Sequence, residues 1–323
     1  MVSNTKSEQL AKGLYQIGSV LGPRYLYQYL LTDDYGTLLI DAGMAETPEQ
    51  VIFPFLEENR ISAEDLDMVL ISHSDIDHFS GLKAIREKNR RVKVMAHELD
   101  VPWIESKERI LKERYFYHQS FGVSHDNEIR SWFEDNLQSN HVDISLKGGE
   151  TIKLGPAREV EVIHIPGHSH GHLAVYDQAN RAAIIIDGIL WKGLYDMEGK
   201  VISPPPYIVV KPYVEAIEKI MLLDIDFLLT GHYDIMRGEQ AYQFLRESKD
   251  FVFRAERVIE ELVKHQSVPI SLMNIVEKSN ELLGPFTVWW VDLVMPVYAH
   301  LTELEQQGKI HRCMKGTIPH WFC

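Results

Sequence analysis

Between Leu70 and Gly81 the chain reads LISHSDIDHFSG, which sets four potential metal ligands, His73, Asp75, Asp77 and His78, within six residues. They follow the apolar run Met68, Val69, Leu70, Ile71, so a strand end delivers them to a loop, where α/β folds place their sites. His73, Asp75 and Asp77 alternate at spacing two and His78 follows directly. A tight loop can then aim these side chains at two neighbouring cations, and imidazole with carboxylate suits zinc, iron or manganese. The bland alternative is a polar helix start capped by Asp77 or Ser80.

Two later clusters argue against that alternative. PGHSHGH (166–172) directly follows the strand-like EVEVIHI, and Gly167 and Gly171 give the backbone freedom to aim His168 inward. LLTGHYD (228–234) repeats the logic with an apolar run, a glycine and His232. Between them AAIIIDG sends Asp187 out of a wholly apolar strand, where a buried carboxylate needs a partner.

His73-Ser-Asp75-Ile-Asp77-His78, then Pro-Gly-His168, Asp187 and Gly-His232, resemble in order and spacing the metallo-β-lactamase-fold superfamily, whose usual first motif is His-x-His-x-Asp-His. The resemblance covers roughly residues 12–237. It implies an α/β fold, a four-layer αββα sandwich with the site at one edge between two sheets, and two divalent metal ions. The first ion takes His73, Asp75 and His168; the second takes Asp77, His78 and His232; Asp187 bridges them, and a bridging hydroxide is the nucleophile. Leu-Ile-Asp41-Ala-Gly43 resembles the family's early Asp-x-Gly, whose aspartate supports the site from behind its ligands. Asp75 departs from the pattern, since most members have histidine there. A third carboxylate adds charge and hard oxygen character, which moves the expected metal from zinc towards iron or manganese. The expected function is therefore a dinuclear-metal hydrolase of a small ester, thioester or lactone, with Asp77 and Asp187 as its catalytic carboxylates. The alternative is a di-iron oxidoreductase or a sensor of oxygen or nitric oxide. His170 and His172 share the loop of His168, and Tyr233 adjoins His232; these three are weaker candidates for the pocket or its support. His97, His118, His125, His141 and His164 read as surface or packed histidines.

Positioning these residues calls for alternating strands and helices. YLYQYLL and TLLID read as strands, a helix starts at Thr47-Pro48, and further strands follow at 68–72 and 92–96. Residues 98–140 are helical in spacing and rich in charged and aromatic residues, which suits either extra core helices or a lid over a substrate pocket. A second strand-rich block spans Ile144 to Asp187, and DFLLT closes it. Residues 1–237 thus read as the catalytic domain and 238–323 as a helical C-terminal region. In that region PVYAHLTELEQQGKIHR (296–312) sets Val297, Leu301 and Leu304 on one helix face and stops at Gly308. It resembles the last helix and wing of a winged-helix module; the simpler reading, an amphipathic helix closing a helical cap over the site or at a homodimer contact, is preferred.

The totals exclude several classes. The 323 residues carry a formal charge of −14, against a broad nucleic-acid surface, and the region from Ala241 onward is nearly balanced with 9 basic and 10 acidic residues. No stretch approaches the ~20 apolar residues that span a bilayer, and the amino terminus lacks an apolar leader, so the expected location is the cytoplasm. Cys313 and Cys323 stand far from the ligand clusters, which leaves neither a disulfide framework nor a cysteine nucleophile. The expected partner is a small-molecule substrate.

Overall fold

The structure, a computed structural model, describes residues 6–323. Its first sheet has seven strands in chain order: β1 (Glu8–Ala11), β2 (Leu14–Leu21), β3 (Arg24–Asp33), β4 (Gly36–Ile40), β5 (Met68–Leu70), β6 (Lys93–His97) and β7 (Ile144–Leu146). β1 to β4 form an antiparallel meander, while β4 to β7 run parallel and are therefore joined by helical crossovers. Among these are α1 (Phe53–Glu58), α2 (Ile76–Phe79) and α3 (Leu82–Lys88). The second sheet comprises β8 (Thr151–Lys153), β9 (Glu159–His164), β10 (Leu173–Asp177) and β11 (Ala182–Ile186), followed, after the small hairpin β12 (Leu194–Tyr195) and β13 (Val201–Ser203), by β14 (Phe227–Thr230) and β15 (Met236–Arg237). Its order is β15-β14-β11-β10-β9-β8.

The apolar alternation of the strands fills three slabs of core. Tyr27, Leu38, Leu70, Val160, Ile184 and Leu229 meet between the sheets. On the outer face of the first sheet, Leu56, Leu82 and Ile85 pack against Leu39, Val69 and Val94. On the outer face of the second, α7 (Val210–Met221) and α8 (Glu239–Lys264) bury Ile217, Ile220 and Leu245 against Ile163, Ala183 and Ile185. The order is helix, sheet, sheet, helix, the four-layer αββα sandwich. The Arg158 guanidinium ties the two sheets together, donating to the carbonyls of Gly13 and Thr32 in the first and to the fully buried Asp177 carboxylate in the second.

The 98–140 segment is a chain of short turns: α4 (Val101–Ile104), α5 (Lys107–Ile110) running on through Leu111–Tyr115, a 3-10 turn at Tyr117–Phe121, and α6 (Asn127–Asn136). Ile104, Ile110 and Phe133 join the outer core, whereas Arg114 and Tyr115 reach inward to the ligand loops.

Beyond α8 come the short strand β16 (Ile270–Ser271), α9 (Leu272–Leu283), α10 (Val294–Gln306) and a hairpin of β17 (His311–Lys315) and β18 (Ile318–Phe322). β16 pairs with β18, giving a three-stranded sheet in place of an all-helical cap. The order here is helix, strand, helix, helix, strand, strand. A separate core, including Ile259, Ile275, Leu301 and Trp321, holds this region together. No described helix is long and apolar enough to cross a membrane.

Where α10 meets the sandwich, the Tyr207 hydroxyl and His300 Nε2 share a hydrogen bond of 2.7 Å, and burial pushes the His300 imidazole down to about 3 from 6.5. Only the unfolded chain takes up this proton between those values. Stability contributed by the neutral imidazole is therefore complete above pH 6.5 and drains away as pH falls towards 3. Urea denaturation at pH 7 and pH 5 is expected to show a smaller loss of stability for His300→Gln than for the parent chain.

Candidate metal centre

The sheet registers dictate which side chains meet. Ile40 pairs with Leu70 in a parallel ladder, so Asp41 and the Ser72–His78 loop emerge together at one edge. In the second sheet Ile186 pairs with Thr230, also in parallel, which sets Asp187 beside His232. Gly231 is needed there, because a β-carbon would come within 2.3 Å of Asp187 Oδ1. Asp41 is fully buried with a left-handed φ of 65°. Its carboxylate accepts from the Ser72 N–H (2.7 Å), the Ser72 hydroxyl (2.8 Å) and His78 Nδ1 (2.8 Å).

Every candidate imidazole is oriented in the same way. Nδ1 of His73 meets the Ser72 hydroxyl, that of His78 meets Asp41, that of His168 meets the Pro206 carbonyl, and that of His232 meets the Tyr25 carbonyl. A donor at Nδ1 leaves Nε2 as a lone pair, and all four Nε2 atoms face a common centre. His78 Nε2 lies 3.7 Å from Asp77 Oδ1 and 3.6 Å from Asp187 Oδ2. His232 Nε2 lies 3.6 Å from Asp77 Oδ2 and 3.1 Å from Asp187 Oδ2. On the other side, Asp75 Oδ2 stands 3.6 Å from His73 Nε2 and 2.8 Å from His168 Nε2. Donors bound at zinc distances stand about 3.3 Å apart in a tetrahedron. Among the described residues, His73 Nε2, His78 Nε2 and Asp187 Oδ1 are buried without a hydrogen-bond partner. Buried polar atoms left in that state ask for a ligand, and these donors fit divalent cations.

The electrostatics agree. Burial alone would raise the Asp187 carboxyl, but His232 and His78 hold it well below the usual carboxylate range. Asp77 is likewise lowered against its burial, by His78 and Arg24. Burial opposes a charge on His78, yet Asp77, Asp187 and Asp41 drive its pKa well above the ordinary value, so without a cation a proton takes the cation's place.

A comparison of the sequence with protein-family models matches residues 21–232 to the metallo-beta-lactamase superfamily. The chain belongs to this superfamily. Among curated proteins, it is similar to an acyl-coenzyme A thioesterase, MBLAC2, of Gallus gallus (31% identical over 102 residues, 30% of this chain and 34% of that protein). The alignment thus spans about a third of that relative's length. It is also similar to the probable metallo-hydrolase YflN of Bacillus subtilis (strain 168), 24% identical over 247 residues, which are 74% of this chain and 90% of that protein. Among solved structures, the metallo-beta-lactamase family protein TTHA1429 from Thermus thermophilus shares the fold, with a TM-score of 0.76 at 17% identity, covering 97% of this chain and 99% of that one.

Against the superfamily pattern, Asp75 is the irregular member, and its surroundings change what it means. The sequence reading counts it as a free extra charge at the first ion. In the structure the buried Arg114 holds it in a two-point ion pair, Nε to Oδ1 and Nη2 to Oδ2. Burial would raise the Asp75 carboxyl, but Arg114 and then His168 hold it well below the usual range. The added charge arrives already paired, while the carboxylate's hard oxygen character remains.

The weaker candidates separate. His172 is fully buried and packs its ring on His73, with Nε2 on the Ile185 carbonyl at 3.0 Å, so it supports the site from outside. His170 lines a neighbouring cavity, not the centre. Tyr233 turns away, its hydroxyl donating to the carbonyls of Leu190 and Gly193, which makes it a clamp on the 190–193 turn and no donor to substrate.

Sequence reasoning missed four contributors. Asp100, fully buried just past β6, accepts from the Ser74 and Gly171 amides and so pins the first ligand loop to the His168 loop. Arg114 and Tyr115 come from the insertion, and Arg24 at the start of β3 places Nη2 3.4 Å from Asp77 Oδ2. Only Asp100 carries a visible signal, an acid at the end of an apolar strand. Trp289, Asp292 and Met295 of the C-terminal region roof a small void of about 50 Å³ over the centre. His125 Nε2 of the insertion meets Asp292 at 2.9 Å and ties the roof down.

Asp41 touches no reacting atom, so its removal isolates ligand orientation. Asp41→Ala is expected to weaken cation binding about 10- to 100-fold, read by competition with a chromophoric chelator, with the far-UV circular dichroism of the fold retained.

Proposed function

We propose that this chain is a metal-dependent hydrolase of thioesters or related small esters and lactones. Its centre would hold one cation between His73, Asp75 and His168 and another between Asp77, His78 and His232, with Asp187 shared. The observation that carries this reading is the convergence of four oriented Nε2 lone pairs on buried carboxylates, with His73 Nε2, His78 Nε2 and Asp187 Oδ1 lacking any other partner among the described residues. Two features favour a thioester among the acyl substrates. One is the likeness to an acyl-coenzyme A thioesterase. The other is a cavity of about 590 Å³ that shares Arg114 and Met295 with the void over the centre. Trp103, Tyr117, Ile208, Val210 and Tyr298 line it, a surface suited to an apolar acyl arm.

Divalent cations held there would supply Lewis acidity and a water of lowered pKa. The chain's own residues do the rest. Asp77 and Asp187 stay ionised through the neutral range, so they serve as fixed anionic anchors and not as proton carriers. Arg24 lines the void beside Asp77 and can donate to a substrate oxygen. Trp289 and Met295 line a void of only about 50 Å³, and the less water it admits, the stronger the charge interactions beneath them. In the reaction the water oxygen joins the acyl carbon and the carbon–sulfur bond breaks; one water proton leaves on the thiol, and the other is released as the carboxylic acid ionises.

The redox alternative drew on a carboxylate at position 75, whose charge Arg114 pairs while its oxygens stay at the centre. A colourless zinc protein that releases free thiol from acyl-coenzyme A substrates supports hydrolysis; a coloured protein with two irons per chain and no such release supports the alternative. Asp187→Asn and Asp77→Ala are each expected to lower kcat/KM by about a hundredfold or more, at least the upper end of what supporting residues cost, together with metal content. Metal lost from either variant with turnover intact would overturn the proposal.

A further inference from the structure

The second cation position is explained by its own donors; the first is not. Asp75 occupies the N-cap of α2, with φ −78° and ψ 145°. An aspartate there ordinarily turns its carboxylate onto the free amides of the first turn. Asp75 makes no such bond. Two adjacent residues of the insertion draw it away. The Tyr115 hydroxyl accepts the Ile76 N–H at 2.9 Å, satisfying the first amide of the helix, and lies 3.4 Å from Asp75 Oδ1. Arg114 grips the carboxylate itself, with Nη2 at 2.8 Å from Oδ2.

Arg114 is 4% exposed, and a guanidinium so buried is costly unless its donors are used. Here Nη1 donates to the His168 carbonyl at 3.1 Å while Nε and Nη2 take the two oxygens of Asp75. The fork geometry fixes the carboxylate plane. Oδ2 is thereby held between His73 Nε2 and His168 Nε2, where a cation would meet it. Arg114 does not fill the cation's own place. It approaches His168 Nε2 to 3.4 Å, but His73 Nε2 keeps no partner among the described residues.

We propose that Arg114 is a metal-positioning residue, and that Asp75 and Arg114 act as one unit, a neutral and oriented oxygen ligand for the first cation. This rests on the metal-centre reading above. The pair removes one negative charge from the centre, leaving Asp77 and Asp187 as the carboxylates not neutralised by a two-point ion pair. Without Arg114, the Asp75 carboxylate loses the two-point grip that fixes its plane. The first position then loses its oxygen.

The test uses the full-length chain, loaded with zinc and in parallel with cobalt(II). Metal content, stepwise affinity by chelator competition and the cobalt visible spectrum are measured for wild type, Arg114→Met, Arg114→Lys, Asp75→His and the Asp75→His/Arg114→Met double variant. Wild type is expected to take up two zinc ions, and Arg114→Met to hold one tightly. Its other dissociation constant should rise at least about tenfold, and the corresponding cobalt bands should fade. Arg114→Lys, which keeps the charge but not the fork, is expected to fall between. Asp75→His alone strands a buried guanidinium and binds the first ion poorly, whereas the double variant regains it, since a neutral imidazole needs no counter-charge. Unchanged affinities in Arg114→Met, a double variant no better than Arg114→Met, or a wild type saturating at one zinc ion overturns the inference. A wild type that binds no zinc overturns the metal-centre reading itself, a distinct failure.

Discussion

Lone pairs repel, and this fold gathers more of them in one small dry space than it could hold without something positive between them. Four imidazole nitrogens and the carboxylates of Asp75, Asp77 and Asp187 converge where the two sheets meet at one edge. Each imidazole is prevented from turning away by an acceptor on its far side. The strand registers, the glycine beside Asp187 and the buried carboxylate of Asp41 all serve that one constraint. It sets donors in place before any cation arrives, so ordering cost is met in folding and not in binding.

The ligands were legible because of where they stand in the sequence. Apolar runs that end abruptly in His73, Asp187 and His232 are strand ends, and parallel registers turn strand ends into neighbours. The residues that act on those ligands were not legible. Arg114 lies in KERILKERYFY, where basic and acidic residues recur as they do on any solvated helix. Nothing local marks one arginine as the buried one; that follows from a tertiary path through short turns. Tyr233 shows the opposite failure, since adjacency to His232 in sequence says nothing about direction when the chain turns sharply after β14.

The C-terminal region shows a different limit. Its helices announce themselves by periodicity, but β16 is a two-residue strand and the last hairpin alternates weakly. Short edge strands of this kind are set by pairing partners more than by their own composition. A cap over the site was among the readings of this region, but Trp289, Asp292 and Met295 could not be singled out, because they line the void only through tertiary packing. Met295 of the roof belongs to the C-terminal core, while Trp289 packs on the outer core of the first sheet.

Asp41 carries two demands that no other side chain meets together. Its backbone sits at φ 65°, a conformation that glycine, asparagine and aspartate tolerate and branched residues resist. Its side chain must receive three donors at once, from Ser72 twice and from His78. Glycine meets the first demand and offers nothing for the second. Asparagine meets the first and turns an amide N–H against one of the three incoming donors. Backbone shape and hydrogen-bond polarity, each permissive alone, intersect here in a single letter of the amino-acid alphabet.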